Sequence, residues 1–136
     1  MKIVLDTNSL IQSVPRQSRY HIVWESLVKG EHVLCVSNEI LEEYLEILQR
    51  LTDYETAELI VKTIVNSPFV ELITPYYHFQ MIKADPDDNK FVDCAIAAGA
   101  RYVVTNDHHF EVLRQTPFPY VDVIALAEFA ELLKRM

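Results

Sequence analysis

The sequence contains little glycine and cysteine and no long apolar segment. It has 2 glycines and 2 cysteines in 136 residues, and none of its apolar runs approaches the ~20 residues of a membrane-spanning helix. These shortages exclude a glycine-rich phosphate loop, a zinc site built from cysteine and histidine pairs, and a disulfide framework. Because the first residues also lack a basic segment followed by an apolar one, we expect a cytoplasmic protein without a signal peptide or membrane span.

The two cysteines, Cys35 and Cys94, both lie in apolar segments. We therefore expect buried, reduced thiols rather than a disulfide or a metal-binding pair. The composition, with 50% hydrophobic and 24% charged residues, is that of a folded globular chain. A length of 136 residues fits one domain, which we predict to span residues 1–136.

Positive charge is also scarce, since the chain has 12 lysines and arginines against 20 aspartates and glutamates. The formal net charge is −8, and the isoelectric point is about 5.0. This balance excludes the broadly basic surface that is the usual electrostatic footprint of a nucleic-acid-binding protein. An enzyme that gathers its carboxylates around a bound metal ion is still compatible with it.

Five short segments rich in β-branched and aromatic residues alternate with helical patterns. The predicted strands cover residues 2–5, 32–36, 69–73, 101–105 and 120–124. They do not alternate apolar and polar residues, which is typical of parallel strands buried on both faces. The intervening helices are predicted to include a break near Pro15, a cap at Ser37, a Thr52–Glu55 capping box and a C-terminal Gly99. This order predicts a three-layer α/β/α domain.

Acidic residues follow two of the predicted strands. Asp6 ends the segment KIVLD and Asp107 ends YVVTND, so each carboxylate lies just past an apolar strand. In an open parallel sheet, ligands bind beyond the carboxyl ends of the strands. Each residue taken alone is equally typical of a turn or a helix cap.

Two predicted helices carry further candidate acids. Glu43 lies at the border of the apolar stripe in the helix after the second strand, whereas the neighbouring glutamates point to solvent. In the segment DPDDN, Asp85 and Asp87 are explained by a helix N-terminus, and Asp88 is ambiguous. Asp93 lies inside an apolar helical stretch, where an unpaired buried carboxylate would be costly.

These positions predict an acidic metal site at one edge of the sheet. Its acids are Asp6, Glu43, Asp93 and Asp107. Their mutual repulsion would raise their pKa values, and a hard cation such as Mg²⁺ or Mn²⁺, which prefers oxygen ligands, relieves it. Such ions assist phosphodiester hydrolysis. We interpret the adjacent pair His108 and His109 as surface or helix-start residues rather than ligands.

Three segments of the chain resemble the motifs of the PIN-domain nucleases. They read IVLDTNSLI, SNEILEEYLEIL and DPDDNKFVDCAIAAGARYVVTNDHHF. The similarity extends over nearly the whole chain and is greatest to VapC-like toxins of bacterial toxin–antitoxin pairs. It implies a five-stranded parallel sheet of order 3-2-1-4-5 and a divalent-metal-dependent endoribonuclease.

The resemblance also implies roles for single residues. The catalytic, metal-binding acids would be Asp6, Glu43, Asp93 and Asp107. Asp88 would join or share the third metal-binding role, and Asn8 and Thr105 match small polar positions that support the site. Further implications are an RNA substrate, an antitoxin in the active-site groove and a homodimer.

Two surface features remain open. Arg16 and Arg19 follow the first strand and Lys90 lies near DPDD, so we hypothesise that they form a phosphate-steering rim. The apolar face between Ala125 and Leu133 is compatible with core packing or with a dimer surface.

Two alternative functions remain. A haloacid-dehalogenase-type phosphotransferase also places an aspartate after a strand, but it needs an acid two residues later, where this chain has Asn8. An inactive PIN-like scaffold would act only through protein contacts. Trapping of an aspartyl-phosphate on Asp6 would identify a phosphotransferase. A metal titration separates an inactive scaffold from a nuclease.

Overall fold

The computed structural model describes all 136 residues, Met1–Met136. Its strands are β1 (Lys2–Leu5), β2 (Val33–Val36), β3 (Val70–Leu72), β4 (Tyr102–Val104) and β5 (Val123–Ile124). They pair in parallel in the order β3-β2-β1-β4-β5, which confirms the predicted sheet. β5 is shorter than predicted, because only Val123 and Ile124 pair with β4.

Helices connect the strands and cover both faces of the sheet, which confirms the three-layer α/β/α architecture. The α-helices are α1 (Thr7–Ser13), α2 (His21–Lys29), α3 (Asn38–Leu51), α4 (Tyr54–Asn66), α5 (Asn89–Ala98) and α6 (Leu126–Lys134). Two 3₁₀ segments cover Pro86–Asp88 and His108–Gln115. None of the helices combines the length and the apolar character that a membrane crossing requires.

Most of the predicted helix ends are confirmed. The chain breaks between α1 and α2 around Pro15, and the side chain of Ser37 caps α3 by accepting a hydrogen bond from the backbone N–H of Ile40 at 3.2 Å. Gly99 follows α5 with a φ of 65°, a left-handed conformation that suits glycine because it has no Cβ.

The predicted capping box of α4 is wrong. Asp53 caps this helix instead, since its carboxylate accepts a hydrogen bond from the backbone N–H of Thr56 at 2.8 Å. The hydroxyl of Thr52 donates to the carbonyl of Leu48 at 2.6 Å and is therefore engaged by the preceding helix. An aspartate next to a threonine offers the stronger, charged cap.

The central strand β1 and helix α5 organise the core. Ile3, Val4 and Leu5 of β1 are completely buried, and burying such side chains contributes roughly 1.5–3 kcal/mol each. α5 packs against β1, β2 and β4. Because a crossover helix runs antiparallel to the strands it connects, α3 and α5 begin at the carboxyl edge of the sheet, beside the ends of β1 and β4.

Two further sequence questions are decided by burial. Cys35 and Cys94 are buried free thiols, as predicted. The apolar face of α6 is core rather than dimer surface, because Leu126 and Phe129 are fully buried and Leu133 is 7% exposed.

Candidate active site

The pairing of β1 with β4 brings Asp6 and Asp107 to the same edge of the sheet. Leu5 pairs with Val104, so the residues that follow the two strands emerge side by side. Thr105 connects them: its hydroxyl donates to Asp6 Oδ2, and its oxygen accepts a hydrogen bond from the backbone N–H of Asp107 at 3.0 Å. The supporting position predicted for Thr105 therefore has a physical basis.

Asp6 is both a helix cap and a buried acid. Its Oδ1 accepts a hydrogen bond from the backbone N–H of Ser9 at 2.8 Å, which caps α1. Burial raises the pKa of Asp6, hydrogen bonds from Thr105 and Ser9 oppose the rise, and the charge of Asp107 adds to it. The capping interpretation and the site interpretation of this residue are thus compatible.

Asp88 is the acid from the start of α5 that joins this edge. Burial, followed by the charges of Asp85 and Asp107, raises the pKa of Asp88 to about 7, and His109 partly offsets the rise. The Oδ2 atom of Asp88 is buried and has no hydrogen-bond partner. A buried carboxylate oxygen without a hydrogen-bond partner costs free energy, and a proton or a cation bound to this atom would reduce that cost.

Asp93, in contrast, contacts a different part of the chain. Its Oδ1 accepts a hydrogen bond from the backbone N–H of Phe79 at 3.1 Å, and its Oδ2 lies 3.3 Å from His78 Nδ1. Asp88 ends the 3₁₀ segment before α5, whereas Asp93 lies inside the helix and its two oxygens face His78 and the amide of Phe79. The structure therefore brings Asp88, and not Asp93, together with Asp6 and Asp107. Asp93 holds the segment between β3 and α5.

Glu43 reaches the edge from α3 and is paired with a lysine. Its Oε1 lies 2.8 Å from Lys90 Nζ, and its Oε2 accepts a hydrogen bond from the hydroxyl of Thr7, the residue next to Asp6. Burial opposes the charged form of Lys90, but the hydrogen bond and charge of Glu43, with Asp87, raise its pKa overall. Lys90 is thus engaged inside the site rather than on an open rim.

The other predicted residues are peripheral. Asn8 is exposed, and its side chain makes no hydrogen bond to the acids. Arg16 and Arg19 are exposed in the segment between α1 and α2, and the guanidinium of Arg19 lies 5.3 Å from the ring centre of Tyr20.

His109 is a site residue that the sequence interpretation missed. Its Nδ1 lies 3.4 Å from Asp107 Oδ1 and 3.7 Å from Asp88 Oδ2, whereas the side chain of His108 is 87% exposed. The available signal was its position two residues after Asp107, at the same edge of the sheet.

The residues at this edge fit a divalent cation. Two sets of side chains each place three potential ligand atoms within 4.8 Å of one another. One set is Asp85, Asp88 and His109, and the other is Asp107, His108 and His109. The unpaired oxygen of Asp88 and the raised pKa of its carboxyl group both favour added positive charge. Carboxylate oxygens suit Mg²⁺ and Mn²⁺.

A polar cleft of about 620 Å³ adjoins the Glu43–Lys90 pair through Lys90, and Asp6, Asp88 and Asp107 are not among the residues that line it. It extends from Lys90 and Asp87 to the segment held by Asp93. Its walls are formed by Glu39, His78, Gln80, Ile82, Lys83, Pro86, Asp87, Asn89, Lys90 and Asp93.

Structures of known proteins show the same fold. A chain of VapBC2 from Rickettsia felis, crystallised with a DNA fragment from its promoter, superposes with a TM-score of 0.64 at 16% identity, over 92% of this chain and 98% of that chain. DNA-bound VapBC from Salmonella typhimurium gives a TM-score of 0.64 at 21% identity, over 93% and 98% of the two chains. VapC20 from Mycobacterium tuberculosis, a toxin that cleaves the sarcin-ricin loop, gives 0.58 at 17% identity, over 80% and 92%.

Sequence comparison agrees with the fold. A search of curated proteins finds no significant match. The family model of the PIN domain matches residues 2–109, which include every acid described above. The chain therefore belongs to the PIN-domain family.

Proposed function

We propose that this protein is a divalent-metal-dependent endoribonuclease and the toxin of a toxin–antitoxin pair. The observation that carries the metal dependence is the buried, unpartnered Oδ2 of Asp88 beside the carboxylates of Asp6 and Asp107. Three acids in one partly buried place repel one another unless a cation or a proton neutralises them. A nuclease needs positive charge at this place to bind a phosphodiester.

Asp6, Asp88 and Asp107 would hold the cation, which would supply positive charge to a scissile phosphate and lower the pKa of a bound water. Thr105 positions two of these acids by its hydrogen bonds to the Asp6 carboxylate and from the Asp107 amide. Rigid placement of this kind is what metal-assisted catalysis requires of the protein. We assign the same positioning role to Thr7, whose hydroxyl orients Glu43.

Glu43 and Lys90 form the second half of the proposed site. The Lys90 ammonium, 13% exposed, carries its positive charge beside Glu43 at the border of the cleft. A phosphate of the bound strand can share this ammonium with Glu43. Release of Glu43 from the pair would make its carboxylate available to accept a proton from water.

RNA as substrate and an antitoxin as partner are proposals supported by the structural relatives. VapC20 is described as a toxin that cleaves the sarcin-ricin loop, and the VapBC structures are complexes of two components bound to DNA. By analogy, an antitoxin would occupy the polar cleft and the toxin would act in the cytoplasm as a homodimer. Cleavage of RNA and association with a neighbouring gene product test these points separately.

The decisive experiment is an RNA cleavage assay with Mn²⁺, with Mg²⁺ and with EDTA. We expect cleavage only with a divalent metal, and a loss of about 100-fold or more for Asp6→Asn, because the ligands of one metal site act as a unit. Equal cleavage in EDTA, or an unimpaired Asp6→Asn protein, would contradict the proposal. Light scattering tests the homodimer.

The alternatives are less compatible with the geometry. A phosphotransferase of the haloacid-dehalogenase type would need a second acid two residues after Asp6, and that position is the exposed Asn8. An inactive scaffold would not need the buried acidic cluster. Absence of cleavage together with normal binding of a partner protein would support the inactive scaffold.

A further inference from the structure

His109 lies between the two acids that enter the site from different elements. Asp88 precedes α5 and Asp107 follows β4, and the imidazole of His109 bridges the space between their carboxylates. Its Nδ1 is buried and has no hydrogen-bond partner. The same is true of the Oδ2 of Asp88, which faces it. Two facing polar atoms without partners indicate a missing third component.

The distances are compatible with that component being a cation. His109 Nδ1 lies 3.4 Å from Asp107 Oδ1 and 3.7 Å from Asp88 Oδ2, both longer than a good hydrogen bond. Neighbouring ligands of an octahedral ion bound at ~2.1 Å lie about 3 Å apart. His109 is also the one residue shared by both groups of potential ligands.

We propose that His109 Nδ1 is a nitrogen ligand of the metal site, so that the site is a mixed oxygen and nitrogen site selective for Mn²⁺ over Mg²⁺. This inference rests on the proposed metal dependence and adds its ligand set and its preferred ion. Imidazole nitrogen binds transition-metal ions, Mn²⁺ included, more readily than it binds Mg²⁺, which prefers carboxylate and water oxygens. Selectivity for Mn²⁺ would then originate in the imidazole of His109, two residues after Asp107.

A protonated His109 is the competing arrangement. As an imidazolium ion it would neutralise Asp88 and Asp107 by itself and would exclude a metal ion from the same place. The two arrangements predict opposite effects of removing the imidazole. If His109 is a ligand, its removal weakens Mn²⁺ binding, and if it is a competing cation, its removal strengthens binding.

The test is pulsed electron paramagnetic resonance of Mn²⁺ bound to the whole protein, combined with calorimetric titrations of Mn²⁺ and Mg²⁺. We expect ¹⁴N modulation from a directly bound imidazole in the wild type and its disappearance in His109→Gln. Labelling the wild type with [¹⁵N]histidine should replace the ¹⁴N signal by ¹⁵N, which provides a test without any variant. His108→Gln is the matched control, because His108 is the adjacent, exposed imidazole.

The titrations give the expected selectivity. His109→Gln should weaken Mn²⁺ binding roughly 10-fold or more while changing Mg²⁺ binding less, since outer-shell partners of ligands already matter by 10–100-fold. His108→Gln should leave the nitrogen signal and both affinities unchanged. Melting of His109→Gln in EDTA within a few degrees of the wild type would show that the fold is intact.

Several results would overturn the inference. They are bound Mn²⁺ without a nitrogen signal in the wild type, loss of the signal in His108→Gln, and tighter Mn²⁺ binding by His109→Gln. A wild-type protein that binds neither Mn²⁺ nor Mg²⁺ would instead overturn the proposed metal dependence itself. Failure of the ligand assignment and failure of the proposed function are therefore distinguishable.

Discussion

The ammonium of Lys90 lies 2.8 Å from Glu43 Oε1, and both side chains are largely buried, with 13% and 18% of their surfaces exposed. A pair of this kind, formed between α3 and α5, gives an acid of the proposed site a resident positive charge. The positive charge of Lys90 therefore offsets part of the repulsion between the clustered carboxylates.

Replacing Lys90 tests this compensation. Lys90→Gln should lower the free energy of unfolding in EDTA by roughly 2 kcal/mol, because Glu43 loses its charged partner. Thermal melting measures the loss. Lys83→Gln is the matched control, since Lys83 lines the same cleft but is exposed. Equal stability of the two variants would contradict the pairing.

Asp88 should make the metal-free protein less stable as the pH rises. The pKa of Asp88 is raised from 3.8 to about 7, so the folded state holds this proton more tightly than the unfolded state. The stabilisation is complete below pH 3.8 and is lost between 3.8 and about 7. Allowing for partial exposure to solvent, Asp88→Asn should recover about 1–2 kcal/mol at pH 8 in EDTA. Melting curves across this pH range check it, and a variant less stable than the wild type at pH 8 would refute it.

Asp93 should behave as a structural residue. Asp93→Ala removes the acceptor of the Phe79 N–H and should cost about 1–3 kcal/mol. The rise in melting temperature on adding Mn²⁺ should persist, because Asp93 does not point into the acidic cluster. Asp6→Asn, tested in parallel, should lose that rise. If Asp93→Ala loses it too, the placement of Asp93 outside the metal site is wrong.

His32 should make the fold sensitive to acid. Burial, with the N-terminal charge, lowers the pKa of His32 from 6.5 to about 4, and its ring packs edge-on against Phe129 at 5.3 Å. Because the unfolded state binds this proton more tightly, stability falls as the pH decreases from 6.5 to about 4, by roughly 3 kcal/mol in total. His32→Phe keeps an aromatic ring and should abolish this loss. Unfolding by urea at pH 7 and pH 4.5 provides the comparison.

The exposed arginines test the approach of RNA to an acidic protein. Arg16→Ala with Arg19→Ala should weaken RNA binding and reduce the slope of log affinity against log salt by roughly 1.4, or 0.7 for each lost contact to a single strand. Binding measured at several salt concentrations gives the slope. Mn²⁺ affinity serves as the control and should be unchanged. A wild-type slope would place the phosphate contacts elsewhere.

Local patterns explain which parts of the site were predictable. Asp6 and Asp107 each follow an apolar strand, so their convergence required only that β1 and β4 be parallel neighbours. The third acid was harder, because Asp88 and Asp93 lie on the same short stretch of chain. Asp93 was favoured as a buried acid without a visible partner, yet its partners are His78 and the amide of Phe79, at least 14 residues earlier.

The sequence by itself determined the alternation of strands and helices, the parallel sheet and its acidic edge, because hydrophobic periodicity and residues at strand ends are local properties. The tertiary structure alone decided that Asp88 joins the cluster, that Lys90 is held by Glu43 and that His109 faces two carboxylates. These three facts depend on the direction of each side chain and on contacts between distant segments. Sequence spacing does not specify such contacts, because a rotation of a helix by a fraction of a turn changes which residues meet.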